Sequence, residues 1–158
     1  MILATHALTG AVIGKNIESP VLIIILSLAV HFIMDGLRHG EYFDSRVATT
    51  KDTWWKVALD LSAGLLLILS AIFFQKLSLT QTINVLLGAF FSTFPDLLTL
   101  LFYCKIRLPF LVKIKKFHAL CHRYDKFPKY SPERLWTFRN SLNDIIISLL
   151  AIILLFLK

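Results

Sequence analysis

Hydrophobic residues run along this chain in blocks. The stretch "VLIIILSLAV" (21–30) passes without a break into "HFIMDGLRHGEY" (31–42). Five apolar segments emerge, at about 2–14, 20–37, 57–74, 83–104 and 140–157. A helix that crosses a bilayer needs about 20 apolar residues, and at least about 17. The pattern therefore predicts an all-α fold, a polytopic integral membrane helical bundle of about five hydrophobic helices. Pro20 suits the first turn of a helix, and Pro95 predicts a kink. Segment 2–14 is short, which leaves open whether it spans fully. A sixth stretch, "LVKIKKFHALCHRYD" (111–125), reads as an amphipathic helix lying at the interface. Leu111, Ile114, His118, Cys121, His122 and Asp125 share one face, while Lys113, Lys116 and Arg123 fall on others. Its histidines would turn toward the protein and its lysines toward headgroups. Residues 1–158 are expected to form a single membrane-embedded domain.

Composition supports this picture. The chain has 158 residues, of which 56% are hydrophobic, and its mean hydropathy is +0.69. The net charge is +7, with 17 Lys and Arg. If all five segments cross, 14 of those 17 lie on one side, in the loops 38–56 and 105–139. Positive loops mark the cytoplasm, so a multi-pass protein of the cell inner (plasma) membrane is expected, with both large basic loops cytoplasmic. Trp54 and Trp55, just before the third segment, suit an interfacial aromatic belt. No nucleic-acid motif accompanies the charge, and the expected partners are the bilayer and its anionic headgroups. Residues 1–14 show no basic leader, so no signal peptide is expected. Cys104 and Cys121 form no CxxC pair and give no sign of a disulfide framework.

On this map the titratable residues gather at one membrane face. His6 lies near the cytoplasmic start of the first segment, and His31, Asp35 and His39 at the cytoplasmic end of the second. Asp60 is about one turn into the third, Asp96 follows Pro95 in the fourth, and His118 and His122 sit in the large loop. The charge count used none of these eight. Residues four apart share a helix face, so His31, Asp35 and His39 form a row unless Gly36 or Gly40 breaks it. His118 and His122 form a second pair. Neutral imidazole with carboxylate suits Zn, Mn or Fe. Eight donors suffice for one or two divalent ions, with a bridging carboxylate in the second case. No serine, cysteine or lysine stands in a nucleophile motif. The expected nucleophile is therefore metal-bound water, with Asp35, Asp60 or Asp96 available as general base.

At these residues the chain resembles the membrane-bound metal-dependent hydrolases, small bacterial and archaeal inner-membrane proteins. The matching stretches are "ATHALTGAVIG" with His6, "HFIMDGLRHGEY" with His31, Asp35 and His39, "ALDLSAG" with Asp60, "STFPDLL" with Asp96, and "FHALCHR" with His118 and His122. All five histidines of the chain fall within them. The chain departs from the better-known branch in two ways: "PDLLTL" lacks the following acid and histidine, and HxxxD comes early. The resemblance implies a metal-dependent hydrolase whose metal ligands are His6, His31, Asp35, His39, Asp60, Asp96, His118 and His122. The expected substrate is a lipid or lipid-linked (phospho)ester, because the site opens where headgroups lie.

Two other functions compete. A metal-ion transporter or sensor predicts a polar path to the opposite face, where the outer halves of the segments are nearly all apolar. A non-catalytic structural membrane protein predicts that the histidines and carboxylates do not converge. In that reading each has a local role, such as helix packing for His31 and Asp35. Asn143 and Asp144, at the start of the fifth segment, could join the site or cap a helix, and capping is the expectation.

Overall fold

The structure, a computed structural model, describes residues 2–42, 50–103 and 108–157. Cys104 and the basic residues Arg46, Lys105 and Arg107 lie outside the described residues. Among the described residues the chain is all-α. The helices are α1 (Leu3–Asn16), α2 (Pro20–Asp35), α3 (Thr50–Gln75), α4 (Leu79–Tyr103), α5 (Pro109–Cys121) and α6 (Phe138–Phe156), with one 3-10 turn at Pro132–Arg134. Helices α3 and α4 begin earlier than their apolar cores suggested, because the polar flanks continue the same helix.

Three stretches are long and apolar enough to cross a membrane: Thr53–Gln75, Leu79–Phe102 and Pro132–Phe156. Helix α2 is apolar but shorter. Large apolar side chains cover the outer surface, among them Val21, Ile33, Leu66, Phe73 and Leu149. So much exposed hydrocarbon is consistent with a membrane location.

The short segment at the start of the chain is the hub. Helix α1 has 14 residues, about 21 Å at 1.5 Å per residue, less than a bilayer core of about 30 Å. Eight of its residues are buried, and it packs against α2, α3, α4 and α6. Its contact with α4 is backbone to backbone. A Cβ at Gly10 would overlap the Gly88 carbonyl, and one at Gly14 would overlap the Asn84 carbonyl. Small residues allow such an approach where packing, rather than water expulsion, holds helices together. Leu8, Ala11, Ile68, Val85, Ala151 and Leu155 form an apolar core around α1.

Both ends of the bundle are tied by cross-helix hydrogen bonds. At the N-terminus of α1 the Ile2 N–H donates to Asp144 Oδ1 at 3.0 Å, the Leu3 N–H to the Tyr42 hydroxyl at 2.9 Å, and the Ala4 N–H to Asp60 Oδ2 at 3.0 Å. These are the amide donors that every helix start leaves without intrahelical partners. At the other end Lys15 Nζ donates to the Leu155 carbonyl at 2.9 Å, and Gln75 Nε2 donates to the same oxygen at 2.5 Å, closing the C-terminus of α6. Asp144 therefore caps α1, not its own helix. The N-cap of α6 is Thr137, whose side chain accepts from the Asn140 N–H. Asn143 donates to the Arg38 carbonyl at 2.7 Å.

Helix α5 buries Leu111 and His118 and exposes Lys113, Lys116, Phe110 and Phe117, as an interfacial helix should. Asp125 does not stay on the buried face and is exposed. The helix ends at Cys121 with His122 as its C-cap, and Arg123 takes φ 55°, so the 3.6-residue period no longer holds beyond it.

Candidate metal centre

Asp35 stands at the middle of the histidines. Its Oδ1 lies 3.2 Å from His6 Nε2. Its Oδ2 lies 3.0 Å from His31 Nε2, 2.8 Å from His118 Nε2 and 3.3 Å from His122 Nε2. Helix α2 brings His31 and Asp35 together by the four-residue repeat. Helix α1 supplies His6, and α5 with its C-cap supplies His118 and His122. His6, His31, Asp35, His39, His118 and His122 are all buried. Asp96 is half-buried, with Oδ1 3.5 Å from His118 Nε2.

His39 arrives by a different route from the one its spacing suggests. Helix α2 stops at Asp35 with Gly36 as C-cap, so no i+8 row forms. The chain folds back, the His39 Nδ1–H donates to the Leu37 carbonyl at 2.8 Å, and the ring lies 5.0 Å from that of His122. Burial holds the imidazoles of His39 and His122 well below the ordinary histidine range. Both are thus neutral at neutral pH, the form that offers a lone pair to a metal.

The second layer of hydrogen bonds decides which ring nitrogens face inward. His31 Nδ1 donates to the Ser92 carbonyl at 2.7 Å. His118 Nδ1 lies 2.8 Å from Thr99 Oγ1, whose hydroxyl donates onward to the Pro95 carbonyl at 3.1 Å. A hydroxyl that donates elsewhere accepts here, so His118 also carries its proton on Nδ1. With Nδ1 protonated, a neutral ring presents a bare lone pair at Nε2. Yet His31 Nε2 and His118 Nε2 are 3.3 Å apart, and His122 Nε2 is 3.2 Å from His118 Nε2. When both rings are neutral, lone pairs of His31 and His118 face each other and a carboxylate. A cation satisfies that arrangement. Donors about 2.0–2.1 Å from one tetrahedral ion stand about 3.3 Å from each other, the spacing seen here.

Four overlapping sets of three donors meet closely enough to hold an ion: His6, His31 and Asp96; His31, Asp35 and His118; Asp35, His39 and His122; and Asp96, His118 and His122. Seven of the eight expected residues are thus brought together. Asp60 belongs to none of these sets. Its Oδ2 accepts the Ala4 N–H and the Tyr42 hydroxyl, so its place is at the start of α1. Burial, with Asp60 next to it, pushes the Tyr42 hydroxyl far above the ordinary tyrosine range, and Tyr42 therefore remains a donor.

Sequence reasoning missed the supporting residues. Thr99 lies one turn past Pro95, and only that spacing hints at its role. Arg134 is buried, pairs with Glu41 at 3.1 Å, and donates to the Phe127 carbonyl at 3.3 Å and to the carbonyl of His122. It fastens the segment after α5 beneath His39, whose Nε2 is 3.5 Å away. Nothing local distinguishes it from the other basic residues of its loop.

A cavity of about 360 Å³ opens beside the cluster. Asp96, His118 and His122 form part of its wall, and Val57, Leu61, Phe90, Leu97 and Leu100 form much of the rest.

Site and fold together describe an all-α protein with apolar helices of membrane-spanning length and a buried His/Asp cluster that could hold a metal ion. Compared with known protein families, with curated proteins and with solved structures, the chain matches none. The resemblance to membrane-bound metal-dependent hydrolases therefore rests on its motifs alone.

Proposed function

We propose that this protein is a membrane-bound metal-dependent hydrolase acting on a lipid or lipid-linked (phospho)ester at the membrane face where the cluster lies. The observation that carries the proposal is the convergence of Nε2 atoms of His31, His118 and His122 on Asp35, next to an open cavity. His6, His31, His39, His118 and His122, with Asp35 and Asp96, would hold one or two divalent ions. Zn fits the imidazole-rich donors best, with Mn or Fe also compatible. A bound divalent ion lowers the pKa of its water toward about 7 and polarises the ester oxygen.

The chain's own residues do the rest. Asp35 shares its two oxygens among four imidazoles and would be a carboxylate ligand to a bound ion. Thr99 and the Ser92 carbonyl hold His118 and His31 in the ligating tautomer. Where Asp96, the half-buried carboxylate on the cavity wall, does not ligate an ion, it would instead serve as general base and take the proton of the attacking water. Water oxygen bonds to the phosphorus or acyl carbon, the ester bond breaks, and the leaving oxygen takes up a proton.

A transport reading needs a polar route to the far end of the bundle. Among the described residues the buried side chains in that direction are mostly apolar, such as Leu8, Ala11, Ile23 and Val85, with Ser27 and Asn84 as polar exceptions and no buried charge, which favours a closed site over a path.

The test is elemental analysis of protein purified in mild detergent, beside a His31→Ala, Asp35→Ala double variant of equal helicity. About one or two equivalents of metal, lost in the variant, together with hydrolysis of lipid phosphoesters only by the parent, are expected. Protein that takes up no metal on reconstitution would remove the reading.

A further inference from the structure

The cavity beside the cluster lies in a gap between neighbouring helices. Helix α3 packs on α1 and α6, and α4 packs on α1, α2 and α5. Although the two are joined by a tight turn, α3 and α4 do not pack along their lengths. Val57 and Leu61 of α3 face Phe90, Leu97 and Leu100 of α4 across the opening. Both helices have the length and composition to cross a bilayer, so a gap between them faces hydrocarbon.

Polar and charged groups share the wall of this cavity with its apolar side chains. Asp96, His118 and His122 belong to the candidate metal centre, and Lys115 and Lys129 also line the wall. Glu41, the other acid on the wall, is paired with Arg134 at 3.1 Å. Lys115 is anchored with its ammonium 4.1 Å from the centre of the Phe102 ring. The result is a largely apolar slot whose wall also holds two lysines and part of the candidate metal centre. That combination suits a chain of hydrocarbon carrying an anionic oxygen-rich head. The volume of about 360 Å³ is near the lower end of the range of about 300–1,000 Å³ for small-molecule sites. It has room for one such chain, and a second chain of a diacyl lipid would have to stay outside it.

From this placement we infer that the gap between α3 and α4 is a lateral entrance from the bilayer for a single-chain lipid phosphate, whose phosphate rests between Lys115, Lys129 and the His/Asp cluster. The inference rests on the hydrolytic reading of the cluster and narrows its substrate to one lipid class.

The experiment uses the full chain in phosphatidylcholine nanodiscs. The probe is hexadecyl phosphate carrying a mid-chain diazirine, beside hexadecanol with the same label. After irradiation, peptides containing Val57 and Leu61, and those spanning Phe90 to Leu100, are expected to carry the phosphate probe. Unlabelled hexadecyl phosphate should compete, dioleoyl phosphatidic acid should compete poorly, and the alcohol should label at least about tenfold less. A Leu61→Trp, Leu97→Trp variant should lose the labelling while keeping its helicity and metal content. Labelling spread evenly over the outer faces of α2 and α6, equal labelling by the alcohol, or equal competition by the diacyl lipid would overturn the inference. Labelling that persists in a chain unable to take up metal would retain the lipid site and remove the hydrolase. Metal uptake without labelling would do the reverse.

Discussion

Helix α1 separates two carboxylate-bearing regions that look alike in the sequence and behave differently in the fold. On one side, toward α2, α4 and α5, Asp35 is ringed by His6, His31, His118 and His122 at 2.8–3.3 Å. On the other, toward α3 and α6, Asp60 and Asp144 accept N–H groups from the first turn of α1 at 3.0 Å. The two regions differ in their supply of protons. Amides and a tyrosine hydroxyl bring donors to Asp60 and Asp144, and the helix dipole adds favourable charge. In the Asp35 region the imidazole protons of His31, His39 and His118 are committed outward, to Ser92, Leu37 and Thr99. When His31 and His118 are neutral, what they turn inward is lone pairs. An acid at a membrane face is therefore not a site merely by being there; the balance of donors and acceptors around it decides.

The contrast can be broken most severely at its centre. Asp35→Asn keeps the shape of the side chain but removes the charge shared by four imidazoles. Metal affinity should fall by more than the about 10–100-fold that loss of a supporting hydrogen bond produces, and hydrolysis should disappear, while circular dichroism stays unchanged. Retained metal at parental stoichiometry would show that Asp35 is a packing residue.

A smaller effect is expected one layer out. Thr99→Val removes the acceptor of the His118 Nδ1–H without altering volume much. Affinity for metal, measured by chelator competition, should drop about 10–100-fold, and Thr99→Ser should restore most of it. Equal loss in both variants would place the effect in helix packing, not in orientation of the ring.

The mildest change belongs to the other region. Asp60→Ala deprives the Ala4 N–H and the Tyr42 hydroxyl of their acceptor. Helix-cap losses cost about 0.5–2 kcal/mol, so thermal unfolding in detergent should move to lower temperature while metal content per chain is unchanged. A loss of metal equal to that of Asp35→Asn would return Asp60 to the centre and erase the difference between the two sides.

How much of this was legible in the sequence follows the range of the interactions involved. Apolar blocks and the four-residue spacings of His31 with Asp35 and of His118 with His122 are local properties. The chain by itself therefore determined an all-α protein with helices of membrane-spanning length and two histidine-bearing helix faces. The gathering of seven of eight expected donors was anticipated as a set, since the topology expected from the sequence put them all at one membrane face. Their pairing was not. His6 lies 29 positions from Asp35 and His118 lies 83 away, and such distances are closed only when α1 and α5 dock on α2 and α4. Tertiary structure alone turned Asp60 toward an amide, folded His39 back after α2 ended at Asp35, buried Arg134, and left a gap between α3 and α4. The physical reason is the same in each case: a helix period specifies which side chains share a face, while the approach of a second helix, permitted here by Gly10, Gly14 and Gly88, specifies what that face meets.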